Sequence, residues 1–278
     1  MLVNPRSSCD RLSVGLRTTA ATTVRWMDSP KHLVGRVGAT LRAIAAYEPR
    51  GVSTSDVART AGLARPTAHR LLTSLLEEGL TDRTKDGRWL LGPELYLLGS
   101  SAAARYDVTA QAQTFVRRLA QATEESAFFS ARRGDETVCL LREDGSFPIR
   151  SHVLHEGIRF PLGVASAGLA ILAHLPDAEI DAYLRDTDLS TEYDVAHSPE
   201  ALRERIAQTR VTGYALNPGL VVTGSWGMGA AVFDHDGRPR WALSITGIEQ
   251  RVAGRQRDLG ALLLRAAHEL SRSLSTHR

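Results

Sequence analysis

The chain has 278 residues with a formal net charge of +3 at pH 7, and 43% of its residues are hydrophobic and 23% charged. This length suffices for two domains, and the composition is that of an ordinary soluble globular protein. The longest weakly polar run, Leu162 to Leu175, has only 14 residues and falls short of the roughly 20 that cross a bilayer, which excludes a membrane-spanning protein.

Positive charge is concentrated towards the N-terminus. Residues 31–92 contain ten Lys and Arg against six Asp and Glu, residues 1–30 contain four against two, and the remaining 186 residues carry a net charge of −3. A domain that meets a polyanion is expected to carry such an excess, so nucleic acid is the expected partner of the N-terminal part.

The first 30 residues combine Ser, Thr, Arg and Ala without periodicity, and they lack the apolar core of a signal peptide. We therefore expect residues 1–30 to be a disordered extension, and Met27 is an alternative translation start. From His32 to Tyr47, ahead of Pro49, apolar residues recur at helical spacing and predict a helix that covers the back of the next motif.

Residues 52–92 carry the clearest motif of the chain. Ser53 can cap a short helix that ends at Gly62, and a second helix follows with Pro66 in its first turn and Gly79 at its end. This pattern predicts a helix-turn-helix, whose second helix enters the major groove of DNA with its N-terminal half. The candidate DNA contacts on that helix are Arg65, Thr67, Ala68, His69, Arg70 and Ser74.

Two short strands are predicted after the second helix, over residues 80–84 and 88–91, because Asp86-Gly87 between alternating residues indicates a hairpin. A basic hairpin that follows a reading helix is typical of a wing, which contacts the phosphate backbone. Its candidate contacts are Arg83, Lys85 and Arg88. The alternative interpretation is a small helical domain, over residues 31–93, with one exposed hairpin and no role in DNA binding.

Residues 94–123 are predicted to connect this domain to the rest of the chain. The segment from Leu95 to Thr123 is rich in Ala and Leu and indicates one long helix, or one that breaks near residues 106–109. Contact with a second copy of the chain is one interpretation of its many small residues, and packing on its own domain is the other.

Residues 124–278 alternate strand-like and helix-like segments, which favours an α+β domain with helices on one face of a sheet. The Asp234–Gly237 turn indicates a hairpin. Strands are predicted over residues 127–131, 137–142, 148–154, 228–233 and 239–248, and helices over residues 166–175, 177–185, 199–212 and 250–274.

A catalytic elbow of the type Gly-x-Ser-x-Gly nearly occurs twice in this second half. Val164 stands two residues before Ser166, and Thr223 two before Ser225, where the pattern requires glycine. Both matches therefore fail, and we predict no catalytic residues and no enzyme activity.

Metal-binding patterns fail as well. His152 and His155 are three residues apart, which in a strand places them on opposite faces. Asp234 and Asp236 flank a turn, where acidic residues serve the local backbone. Cys9 and Cys139 lie far apart without metal-site spacing, so we predict no metal, no cofactor and a reducing cytoplasmic location.

The segments Thr67-Ala68-His69-Arg70-Leu71-Leu72 and Leu91-Gly92-Pro93 resemble the IclR family of bacterial transcription regulators. The resemblance extends through residues 159–175 and 213–247, and so from about Leu33 to the C-terminus. It implies an α+β protein with an N-terminal winged helix-turn-helix, a connecting helix and a C-terminal GAF-like effector-binding domain. The implied partners are double-stranded operator DNA, a small-molecule effector and a second copy of the chain, as a homodimer or a dimer of dimers.

The resemblance also implies an effector pocket, formed by Ile149, His152, Ser166, Ala167, Asn217, Gly227, Ser244 and Thr246. Many family members carry a charged residue where this chain has Leu169 or Asn217. An uncharged or aromatic effector is therefore expected, with a carboxylate held at most by the amides of Ser166 and Ala167. Phe160, Trp226 and Met228 are expected to border the cavity. The alternative is that these small residues only allow a helix to pack closely on the sheet.

Together these observations predict a transcription regulator whose operator binding responds to a small catabolic intermediate. Two alternatives stay open at this point. One is an architectural winged-helix protein without a ligand, and the other is an enzyme fused to a DNA-binding domain. Whether the effector activates or represses is open as well.

Overall fold

A computed structural model describes residues 32–103, 108–148 and 154–276. The expected extension over residues 1–30, most of the strand expected over 148–154, and the candidates Ile149 and His152 lie outside these residues. The chain divides into two compact units between Ala104 and Arg105. No helix in the described part of the chain is long and apolar enough to cross a membrane.

The first unit is a winged helix-turn-helix, as predicted. Ser53 caps its second helix, because the Ser53 hydroxyl accepts a hydrogen bond from the Asp56 amide at 3.2 Å. Gly79 takes a φ of +68° after the third helix, a conformation that glycine adopts without strain. The elements are α1 Leu33–Ala45, α2 Thr54–Thr60, α3 Arg65–Glu77, β1 Thr81–Arg83, β2 Trp89–Leu91 and α4 Pro93–Ala103.

A small apolar core holds this unit together. Its largest fully buried side chains are Ile44 of α1, Leu72 of α3 and Trp89 of β2. Val52 and Trp89 exchange two backbone hydrogen bonds, of 3.0 and 2.9 Å, which join the wing to the segment before α2. The wing is therefore fixed to the helix-turn-helix through its second strand.

The second unit is built on a six-stranded antiparallel sheet with the strand order β5-β4-β3-β8-β7-β6. Its strands are β3 Ser126–Arg133, β4 Glu136–Glu143, β5 Arg159–Pro161, β6 Ala215–Pro218, β7 Ser225–Phe233 and β8 Pro239–Ile248. Its helices are α5 Val108–Thr123, α6 Ser166–Ala173, α7 Asp177–Asp186, α8 Pro199–Thr212, α9 Glu249–Val252 and α10 Gln256–Thr276.

Helices cover both faces of this sheet, so the prediction of helices on one face is wrong. One core joins the sheet to α6, α7 and α8, and includes Phe128 and Ala242. The other joins it to α5 and α10, and includes Phe129 and Leu243. Neighbouring residues of a strand point to opposite faces, which explains how β3 and β8 supply both cores.

The two edge strands β5 and β6 were not predicted, because each has only three or four residues. The segment predicted as one helix over residues 250–274 is α9, a 3₁₀ turn at Ala253–Arg255, and α10. The connecting segment over residues 94–123 contains α4, in the first unit, and α5, in the second.

Candidate DNA-binding surface and effector site

Helix α3 presents most of its predicted DNA contacts to solvent. Arg65, His69, Arg70 and Ser74 are exposed, and Thr67 is half-buried. The start of α3 borders an open concavity of about 590 Å³ beside the start of α2, lined by Thr54, Arg65, Pro66, His69 and Arg70. None of these five residues is acidic, so the concavity suits a negatively charged partner.

Ala68 does not belong to this surface. It is 0% exposed and lies inside the unit, so its side chain does not face DNA. Its neighbours Thr67 and His69 are accessible to different degrees because successive helical residues lie about 100° apart around the axis. The inclusion of Ala68 among the predicted DNA contacts is therefore wrong.

The three wing cations differ in how firmly they are held. The Arg83 guanidinium lies 5.0 Å from the centre of the Trp89 ring, and its Nε donates to the Gly87 carbonyl at 3.2 Å. Arg88 forms an ion pair with Asp86 at 3.3 Å. Lys85 is exposed, and no described residue forms an ion pair with it. Of the three, Lys85 is the most available to a phosphate.

In the second unit, the six described effector candidates lie together on the α6 side of the sheet. Asn217 pairs with Gly227, Gly227 with Thr246, and the next same-face pair is Gly229 with Ser244. Ser166 and Ala167, at the start of α6, lie against these strands. The structure thus brings together Ser166, Ala167, Asn217, Gly227, Ser244 and Thr246.

Two glycines of β7 allow α6 to approach the sheet. A Cβ at Gly229 would lie 2.5 Å from the Ser166 carbonyl oxygen and 2.9 Å from the Ala167 amide nitrogen. A Cβ at Gly227 would meet only side chains, with the Ser166 hydroxyl oxygen at 3.1 Å. Gly229 therefore lies under the α6 backbone, whereas Gly227 lies beside the Ser166 hydroxyl.

Polar groups at this contact are incompletely paired. No side chain caps α6, although Ser166 and Ala167 in its first turn are each 3% exposed. The Ser244 hydroxyl is also buried and has no hydrogen-bond partner among the described residues. Buried polar groups in native proteins are nearly always hydrogen-bonded, so an unpaired hydroxyl next to an uncapped helix start indicates a place for a ligand group.

Asn217 has a different role from the other candidates. Its Nδ2 donates to the Val164 carbonyl at 2.5 Å, and its Oδ1 accepts from the Leu220 amide at 3.1 Å. The Oδ1 therefore holds the turn after β6, and the Nδ2 holds the loop that leads into α6. Arg205 holds the same loop, because its guanidinium donates to the Gly163 carbonyl at 3.2 Å.

Arg205 and His197 form a polar group behind this loop. Arg205 also donates to the carbonyls of Ala196 and Leu216, and burial lowers its pKa to about 10. Burial lowers the pKa of His197, against the effect of its 2.9 Å hydrogen bond with Asp194. Sequence reasoning missed both side chains, because they reach the loop before α6 from α8 and from the 3₁₀ turn that precedes α8.

Trp226 and Met228 do not border the effector candidates. Both pack in the core on the α5 and α10 side of the sheet, and each is an odd number of residues from Gly227. An odd separation within a strand reverses the face, so their expected place at the cavity is wrong. Phe160 and Leu169 do pack on the α6 side.

Two other features of the described residues, the Asp234–Asp236 turn and the Cys139 thiol, offer no better candidate for a functional site. Asp234, His235 and Asp236 are close enough together to hold a cation, but Asp234 accepts hydrogen bonds from two backbone amides and from Arg240. These bonds are those of an acidic turn residue. Cys139 is buried, and burial raises the pKa of its thiol to about 12, which keeps it protonated and unreactive.

Comparison with known families decides the identity of this architecture. A family model described as the C-terminal domain of the bacterial transcriptional regulator IclR matches residues 100–272, and the IclR helix-turn-helix domain matches residues 34–84. The chain belongs to the IclR family. It is thus a transcriptional regulator with a DNA-binding helix-turn-helix, and its relatives are regulators and not enzymes.

Individual IclR-type proteins match over most of their length. The glycerol operon regulatory protein of Streptomyces griseus is 31% identical over 78% of this chain and 85% of its own. The crystal structure of Thermotoga maritima IclR is 26% identical, with a TM-score of 0.66 over 87% of this chain and 98% of its own. An IclR homologue from Microbacterium hydrocarbonoxydans, crystallised with 4-hydroxybenzoate, is 24% identical, with a TM-score of 0.70 over 87% and 98%.

Proposed function

We propose that this IclR-type regulator binds operator DNA in the cytoplasm as a homodimer or a dimer of dimers, and that a small effector bound against α6 changes its affinity for DNA. The observation that carries the effector site is the unpaired, fully buried Ser244 hydroxyl beside the uncapped start of α6. Close packing alone explains Gly229, but it gives no reason for a buried hydroxyl without a partner.

The chemistry of this place favours a small aromatic or otherwise apolar molecule with one carboxylate or polar group. Amides at the start of a helix attract such a group, and a serine hydroxyl can donate to it. Leu169 and Phe160 contribute apolar surface on the same side of the sheet. The IclR homologue from Microbacterium hydrocarbonoxydans was crystallised with a molecule of this class, 4-hydroxybenzoate.

The proposed assembly has support in α4. Tyr96 is 76% exposed, Leu97 55% and Leu98 54%, an unusual exposure for three consecutive large apolar side chains. A single helix-turn-helix reads only a few base pairs, so a specific operator requires at least two, at a spacing of about one helical turn or a multiple of it. We propose that the connecting segment over residues 94–123 supplies this contact.

A ligand screen followed by one substitution tests the effector site. Small aromatic acids and neutral catabolic intermediates are screened for thermal stabilisation, since a ligand at 100 times its Kd stabilises by about 2.7 kcal/mol. Ser244→Ala is expected to retain or slightly raise stability without ligand, because it removes an unpaired buried hydroxyl. It is also expected to weaken the response to the ligand by about tenfold or more, as removal of one hydrogen bond to a charged group does.

Ser271→Ala is the matched control. The Ser271 hydroxyl lies on α10, on the other side of the sheet, where it accepts from the Phe233 amide at 3.0 Å and donates to the Ala267 carbonyl at 2.7 Å. This variant should lose stability and keep the ligand response. A Ser244→Ala protein that still responds normally would place the effector elsewhere, and the absence of any stabilising ligand would favour an architectural protein.

A further inference from the structure

The indole of Trp89 connects the wing to the start of α2. Trp89 is 1% exposed, and its Nε1–H donates to the Thr54 hydroxyl oxygen at 2.9 Å. A buried indole N–H requires an acceptor, and Thr54 supplies it. The same ring carries the Arg83 guanidinium at 5.0 Å from its centre. One side chain thus contacts both the wing cation and the first residue of α2.

This hydrogen bond also orients the Thr54 hydroxyl. A hydroxyl has one proton to donate, and its oxygen can accept two hydrogen bonds. Because the oxygen faces the Trp89 donor, the hydroxyl proton of Thr54 points away from the indole. No described residue accepts that proton, and Thr54 is only half-buried. The proton is therefore available to an acceptor outside the chain.

The space beside Thr54 is suited to an anion. Thr54 lines the same concavity of about 590 Å³ as Arg65, His69 and Arg70. The nearest carboxylate in sequence, Asp56, is engaged by the Ser53 hydroxyl at 2.7 Å and by Arg59. Two guanidinium groups, an imidazole and an oriented hydroxyl thus border a volume large enough for a phosphate and part of its sugar.

We propose that Thr54 donates a hydrogen bond to a backbone phosphate of the operator in this concavity, and that Trp89 is a positioning residue that fixes the direction of this donor. Phosphate contacts set the register of a protein on the duplex without reading its sequence. In this arrangement, Trp89 fixes the position of the Thr54 hydroxyl relative to the Arg83 guanidinium. Both groups therefore reach the DNA backbone together. The inference rests on the proposed binding of operator DNA.

The test uses the full-length protein and a duplex recovered by selection from a random-sequence library. Thr54→Val removes the hydroxyl and should weaken binding to the selected duplex and to a scrambled duplex equally, by about tenfold, as for a hydrogen bond to a charged group. Since valine changes no charge, the dependence of affinity on salt should stay the same. Thr54→Ser restores the hydroxyl and should recover most of the affinity.

Neutral methylphosphonate substitutions, introduced one at a time along the duplex, identify the phosphate. One substitution should weaken the Thr54→Val complex by clearly less than it weakens the wild-type complex, because Arg65 and Arg70 still face the phosphate in both. Trp89→Phe, which keeps a ring but removes the N–H, should reduce this coupling, whereas a purely structural role of Trp89 would leave it unchanged. Thr60→Val, at the other end of α2, is the matched control and should bind and couple as the wild type does.

Three results would overturn the proposal: wild-type affinity of Thr54→Val for both duplexes, a weaker affinity for only one of them, or the absence of any methylphosphonate that couples to Thr54. Inorganic phosphate, compared with chloride at equal ionic strength, tests a free anion as the occupant. Stabilisation by phosphate that Thr54→Val abolishes, with unchanged DNA affinity, would also contradict the proposal. A wild-type protein that binds no duplex would instead contradict the DNA-binding function itself.

Discussion

Gly227 and Gly229 lie two residues apart on the same face of β7, and their surroundings separate binding from packing. A side chain at Gly229 would meet the backbone of Ser166 and Ala167, which cannot move without displacing α6. A side chain at Gly227 would meet the Ser166 hydroxyl, which can rotate away. An alanine is therefore expected to lower stability at Gly229 and to weaken the effector response at Gly227.

Gly229→Ala is expected to lower the free energy of unfolding by about 1–3 kcal/mol, because a methyl group forces α6 away from the sheet. Gly227→Ala should cost less than about 1 kcal/mol and should instead weaken the effector response, since its methyl group occupies the space next to Ser166. Urea unfolding and ligand titration of both variants measure these effects. Equal losses of stability would mean that Gly227 serves only packing.

At the scale of single residues, the sequence predicted which residues lie together better than it predicted the face on which each side chain lies. The effector candidates Ser166, Gly227 and Ser244 lie together, although they are far apart in the chain. Ala68 was placed on the wrong side of its helix, because small residues occur on both faces of a helix that packs closely. The contact between Trp89 and Thr54 was not predictable, since no local pattern joins residues 35 positions apart.

The wing is an element whose three cations should respond differently to substitution. Lys85→Ala is expected to leave stability within about 0.5 kcal/mol, because an exposed side chain without an ion pair contributes little. It should weaken binding to all DNA sequences alike. The slope of log K against log salt should also become shallower, by about 1 for each phosphate that the protein no longer neutralises.

Arg83→Ala, unlike Lys85→Ala, is expected to lower the free energy of unfolding, by about 0.5–1 kcal/mol, because it removes the contact with the Trp89 ring. Fluorescence anisotropy at several salt concentrations, together with thermal unfolding, distinguishes the two variants. A Lys85→Ala protein with an unchanged salt slope would remove Lys85 from the DNA contacts.

Elements with strong local signals were predictable, and those defined by distant partners were not. The helix over residues 199–212 was predicted with its observed limits, because Ser198 caps it and Gly213 ends it in a left-handed conformation. The edge strands β5 and β6 have too few residues for a visible alternation. They exist because β4 and β7 offer free edges for pairing.

For the whole molecule, the proposed assembly assigns the contact between copies to the exposed apolar side chains of α4. Charged residues in place of Leu97 and Leu98 are expected to shift the protein towards monomers at micromolar concentration and to lower its affinity for a palindromic site by about tenfold or more, since a monomer reads one half-site. Val211→Glu is the control, because Val211 is 82% exposed but lies on α8. Sedimentation of the wild type as a stable monomer would contradict this role of α4.

The most direct test of the central claim is equilibrium binding of the full-length protein to a selected duplex and to a scrambled one, measured between about 50 and 200 mM salt, a range over which phosphate contacts change affinity strongly. If α3 and the wing of a dimer neutralise about eight phosphates, log K should fall with log salt at a slope of about −7. The selected duplex should bind more tightly than the scrambled one at every salt concentration. An association that does not depend on salt, or equal affinity for both duplexes, would contradict the assignment of this surface to operator DNA.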